Sequence, residues 1–119
     1  MFFITLSTFD QIINKKLLNR VHKLELMFKK FSNDVLKYKY VGDARVIGAQ
    51  LGIEFFNNQG LPDKKQVNHL VKSLLLKKII VYAGGEKGNV LMLIPPIIIK
   101  YDNLQKALKV IEREISNLK

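Results

Sequence analysis

The chain has 119 residues, 48% of them hydrophobic, enough for one modest core in a single domain. It has no cysteine, no tryptophan and two histidines, which excludes disulfides, zinc–thiolate centres and cysteine nucleophiles. A net charge of +10 raises nucleic acid as a partner, but only Arg20, Arg45 and Arg113 among the 20 basic residues are arginines, so scattered lysines covering solvated faces are the simpler reading.

The opening MFFITLSTFDQII has no basic region ahead of its apolar residues and carries Asp10 early, a poor secretory pattern. No apolar run approaches the roughly 18 residues of a spanning helix. A cytoplasmic chain with no membrane partner is therefore expected. Residues 9–36 carry a helical stripe: Ile13, Leu17, Val21, Leu24, Phe28, Phe31 and Val35 recur at steps of three and four. Thr8 with Gln11 offers a capping box for its start, although the apolar Phe2, Phe3 and Ile4 lie ahead of it with no turn signal.

In residues 41–56 the period changes to two. Leu51, Ile53 and Phe55 alternate with Gln50, Gly52 and Glu54, the pattern of a half-buried strand, and residues 41–48 are placed to pair with it. Residues 57–62 read as a loop, and Pro62 suits the start of a helix over 63–77 whose face is Val67, Leu70, Val71, Leu74 and Leu75. Strands are expected at 79–83 and 89–94, joined by a glycine-rich turn. A last helix over 102–118 presents Leu104, Leu108, Ile111, Ile115 and Leu118 on one face. The order α-β-β-α-β-β-α predicts an α+β domain: a small, mainly antiparallel sheet of about four strands with three helices on one side.

Little in the chain suggests chemistry of its own. The GGEKG stretch at 84–88 is followed by Asn89 and a strand rather than by Lys, Ser or Thr and a helix, so it reads as a hairpin turn and not a phosphate cradle. His69 falls on the polar side of its helix. Neither histidine is expected to have the partners of a triad or a metal site, and no two carboxylates are placed for acid–base work.

Four stretches taken together do resemble a known family. YKYVGDARVIGAQLGIEFF, with Gly42, Asp43, Arg45, Gly48 and Glu54 at the matching positions, is similar to the start of the small C-terminal domain of class III pyridoxal-phosphate-dependent aminotransferases. LPDKKQVNHLVKSLLLKKIIVYAGG resembles the helix and strand that follow it. GNVLMLIPPIIIKYDNLQKALKVIEREI resembles the closing strand, proline step and last helix, and STFDQIINKKLLNRV the end of the long helix joining the two domains. The resemblance implies residues 1–37 as a long helix leading into a sheet-and-helix unit over 41–119, without the large domain. Within the family it is nearest to enzymes acting on ω-amino acids or diamines, such as 4-aminobutyrate or 2,4-diaminobutyrate, with 2-oxoglutarate.

In that family the Schiff-base lysine and the residues holding pyridoxal phosphate lie in the large domain. The resemblance thus implies no catalytic or cofactor-binding residue in this chain, no pyridoxal phosphate bound to it alone, and no metal. It also implies a partner: a separate large domain, or self-association through an exposed face of the 9–36 helix and the MFFITL segment. Three positions depart from the family pattern. Val46 and Lys78 replace glycines, and Met92 stands where many members carry an arginine for a substrate carboxylate. Arg45 and Met92 are the candidate substrate-facing residues, Arg45 having a competing role as a tie between strands.

Overall fold

The computed structural model describes the backbone of residues 3–119 and the side chains of residues 15–119. Helix α1 is Phe3–Val35, and strands β1 (Val41–Ile47) and β2 (Gln50–Phe55) follow it. Helix α2 is Lys64–Leu76, strands β3 (Tyr82–Gly84) and β4 (Val90–Leu93) come next, and helix α3 (Tyr101–Ser116) closes the fold. The element order and the α+β class agree with the sequence pattern.

The four strands form one antiparallel sheet in the order β1-β2-β4-β3. β2 and β3 are therefore parallel to each other, with β4 inserted between them and α2 as the crossover, a split β-α-β arrangement. All three helices pack on one face. From that side Leu24, Phe28, Phe31 and Val35 of α1 meet Leu51, Ile53 and Phe55 of β2, Leu91 and Leu93 of β4, and the buried stripes of α2 and α3. The alternation in β2 works as anticipated, its odd-numbered residues buried and its even-numbered ones facing out.

Several boundaries differ from the sequence reading, each for a local reason. α1 begins before residue 9, and Thr8 and Gln11 lie within it, so no capping box starts it there. The stripe position Ile13 lies outside the described side chains, while Leu17 and Val21 are half-buried. α2 begins at Lys64 with Asp63 as its cap: Asp63 Oδ1 accepts from Gln66 N at 3.1 Å and Gln66 Nε2 donates to Asp63 Oδ2 at 2.7 Å. That is a side-chain N-cap one residue after the proline, with both bonds accepted by the Asp63 carboxylate, while Asp63 N donates to Phe55 O instead of to Gln66. β3 is three residues long rather than five: β4 ends at Leu93 before Pro95 and Pro96, so residues 79 and 80 have no β4 residue opposite them.

The β1–β2 hairpin turns on Gly48 and Ala49. Gly48 has φ +57 and Ala49 does not share the left-handed conformation, which fits a type II′ turn with glycine in its first central position. At the start of β1 a bulge falls at Gly42, where the Phe56 ring lies so close that any side chain would displace it.

Candidate functional site

The face of the sheet turned away from the helices carries both residues singled out by the family pattern. Arg45 of β1 pairs with Gly52 of β2, Gly52 with Met92 of β4, and Met92 with Tyr82 of β3. Strict alternation puts these four in one row across the open face. Arg45 and Met92 sit two strands apart, roughly 10 Å along the row, with a glycine between them that adds no side chain.

Arg45 is exposed but engaged. Its Nε lies 2.8 Å from Asp43 Oδ2, and its guanidinium is 3.8 Å from Glu54 Oε1 on the neighbouring strand. Hydrogen bonding to Arg45, seconded by the backbone N–H of Ala44, holds the Asp43 carboxyl below its usual range. The same Asp43 contact raises the Arg45 guanidinium further. Met92 is half-buried, its thioether lying over Gly84 of β3 where a side chain would collide with the sulfur. The apolar half of the open face is thus Val90, Met92 and Tyr82, and the charged half is Asp43, Arg45 and Glu54.

Residues 85–89 make the tight hairpin between β3 and β4. Gly85 and Gly88 have φ +83 and +67, and Gly88 N donates to Gly85 O at 3.1 Å. Asn89 at its end is buried and donates from Nδ2 to Phe55 O at 3.0 Å, fastening the turn to β2. The loop opens into a strand, so its N–H groups are not backed by a helix terminus of the kind that holds phosphate.

The structure adds one residue that the sequence reading passed over. Arg20 of α1 donates from Nε to Ile97 O at 2.8 Å and from Nη2 to Ile99 O, and its guanidinium stacks 4.7 Å from the centre of the Tyr101 ring. α3 has no side-chain cap at Lys100, so this fork across the fold fixes where α3 begins. The available signal was chemical: arginine is scarce among many lysines, and only its planar fork reaches two carbonyls at once.

The histidines play no joint role. His22 Nδ1 is 3.6 Å from Glu25 Oε1, a surface contact between residues three apart on α1. His69 is exposed on α2, as its spacing implied. Among the described residues no group of three or more His, Asp or Glu side chains is arranged to hold a metal ion, and no helix is long and apolar enough to cross a membrane. All 17 lysines are exposed. None has the desolvated or cation-neighboured setting that makes an amine nucleophilic at neutral pH, so the residues present do not fit the anchoring of pyridoxal phosphate.

The fold and its open-faced sheet define a family unit. A model of the class III aminotransferases matches residues 2–115, and the chain belongs to that family. The acetylornithine aminotransferase of Clostridium acetobutylicum is 27% identical over 114 residues, covering 94% of this chain and 27% of that protein. The diaminobutyrate–2-oxoglutarate aminotransferase of Rhizobium meliloti is 32% identical over 68 residues, 50% of this chain and 14% of that protein. Among solved structures, a phospholyase from Arthrobacter superposes with a TM-score of 0.83 at 19% identity, covering 96% of this chain and 28% of that one. A Bacillus anthracis aminotransferase gives 0.78 at 22% identity, with 95% and 27% covered. The structural likeness shows the fold. The chain spans about a quarter or less of the length of the curated relatives it matches.

Proposed function

We propose that this chain is the small C-terminal domain of a class III aminotransferase, and that its open sheet face forms one wall of an active site completed elsewhere. In the whole enzyme the reaction is transfer of an amino group from an ω-amino acid or diamine to 2-oxoglutarate. Alone, the chain does not transaminate. A large domain outside these residues is the partner that restores activity.

One observation carries this reading: a family match over nearly the whole chain that spans only a quarter of its relatives, in a structure whose lysines are all exposed. In the complete enzyme pyridoxal phosphate would supply the electron sink for amino-group transfer. The residues of this chain would shape and exclude water from one side of the substrate, Met92 giving an apolar contact where an arginine would give a bidentate one.

The test mixes the purified chain with pyridoxal phosphate, follows the Schiff-base absorbance, reduces with borohydride and maps the modified lysines. The expected outcome is weak labelling spread over many lysines. A stoichiometric adduct at one lysine sinks the proposal that the cofactor site lies outside this chain.

A further inference from the structure

Away from the centre of the open sheet face lies a groove of about 600 Å³ between α3, residues 77–82 and residues 93–99, within the ~300–1,000 Å³ typical of small-molecule sites. Its origin is traceable to the sequence. α2 ends in a left-handed turn at Lys78, which sends residues 79 and 80 out along the sheet edge with no β4 residue opposite them. Pro95 and Pro96 carry the chain off β4 in another direction, and the gap between the two departures is the groove.

We propose that this groove binds a single-chain amphipath with an anionic head, the chemistry of a medium-chain fatty carboxylate. The floor is closed and apolar: Phe28, Leu93, Leu104 and Ile111 are buried there. The rim is apolar yet open to water, with Ile80 67%, Tyr82 51% and Ile94 41% exposed. An alkyl chain laid between them removes apolar surface on both sides from water.

The charges around the groove select the head group. Its polar lining consists of Asn103, Lys77, Lys78 and Lys106, with no carboxylate. Lys77 is engaged by Glu114 at 3.2 Å. Lys78 and Lys106 make no ion pair among the described residues. Two cations without a counter-charge beside an apolar trough complement an anion on an apolar tail. A second copy of this chain is a poorer occupant, because it would set its own lysines against these in a molecule already carrying +10. The inference does not depend on the aminotransferase reading.

Calorimetric titration with dodecanoate below its micelle concentration tests it, with dodecyltrimethylammonium as the same tail under a cationic head. The expected result is saturable binding of one dodecanoate per chain, at least about tenfold tighter than the cationic amphipath. Lys78→Glu with Lys106→Glu, both on the surface, should reverse that preference. Ala107→Trp, which fills the trough from α3, should weaken dodecanoate by about tenfold or more, circular dichroism confirming that both variants keep the fold. Equal binding of the two heads overturns the proposal, as does binding indifferent to Ala107→Trp or none that saturates. Self-association abolished by Ala107→Trp would show a second copy in the groove and overturn it too.

Discussion

Lys78 shows how a departure from a family pattern becomes a physical cost. Lys78 N donates to Leu75 O and Ile79 N to Leu74 O, both at 2.9 Å, the paired bonds of a Schellman ending for α2. The residue between them must be left-handed, and Lys78 is, with φ 64. A β-carbon in that conformation costs roughly 1 kcal/mol that glycine avoids. Lys78→Gly should therefore stabilise the chain by about 0.5–1 kcal/mol, read as a higher urea midpoint with an unchanged slope. The sequence pointed to this position; only the structure shows the strain. Arg45 is the reverse case. Its place on β1 was legible from the motif, and Asp43 lies two residues before it on the same strand, but its contact with Glu54 depends on cross-strand register, which no single sequence displays.

Glu114 is a residue whose importance the sequence hid. It looks like one more acidic residue on α3, yet its side chain is only 13% exposed. The Ser73 hydroxyl donates to it, and Lys77 Nζ lies 3.2 Å away. These contacts, Ser73 first, hold the carboxyl below its ordinary 4.5 against the opposing effect of burial. Because the folded state favours the charged form, the carboxylate's stabilisation is fully present above about pH 4.5 and is lost as pH falls through the lowered value. Glu114→Gln should cost about 1 kcal/mol at pH 7, and the gap between the two proteins should close in urea titrations repeated toward pH 3. A gap that persists unchanged at low pH would remove charge as its cause.

At the scale of elements, the helices were legible because the core reads a 3.6-residue stripe directly. Val67, Leu70 and Leu74 of α2 and Leu104, Leu108, Ile111 and Ile115 of α3 are buried as their spacing required, whereas Leu75, expected on the same face of α2, is 58% exposed at the edge of the stripe. Element ends depend on what lies across the fold, and there the sequence pattern misleads: β3 is cut short because its neighbour β4 ends at Leu93, before Pro95 and Pro96. α3 has the same dependence, since its first turn is held by Arg20 rather than by a cap of its own. Arg20→Lys keeps the charge but loses the fork and much of the stacking on Tyr101. It should cost about 1–2 kcal/mol and, more tellingly, speed amide hydrogen exchange in residues 97–104 while sparing α2. Uniform acceleration across the molecule would mean that Arg20 contributes to global stability without anchoring α3.

At the scale of the whole molecule, shape follows from one element. α1, 33 residues and therefore about 50 Å long, accounts for the longest dimension of 53 Å in a body otherwise 29 by 25 Å. Charge is spread over this elongated form. Twenty basic residues face ten acidic ones, and the carboxylates in the ion pairs of the described residues are Glu25, Asp43, Glu54, Glu112 and Glu114. Of the lysines only Lys29, Lys37 and Lys77 join those pairs, so most face water without an ion-pair partner among the described residues. Such a molecule repels itself when compact and less when expanded. Exposed like charges are screened beyond about 8–10 Å at physiological salt and over shorter distances above it. Raising sodium chloride from about 20 mM to 500 mM should thus stabilise the chain, by an amount on the order of 1 kcal/mol. Sodium chloride is the choice because sulfate would also strengthen apolar burial and blur the cause. Glu114→Gln should gain more from salt than the parent, having one more uncompensated positive charge. If stability instead falls with salt in both proteins, attractive ion pairs outweigh the lysine excess, and the scattered lysines are less mutually repulsive than their number implies.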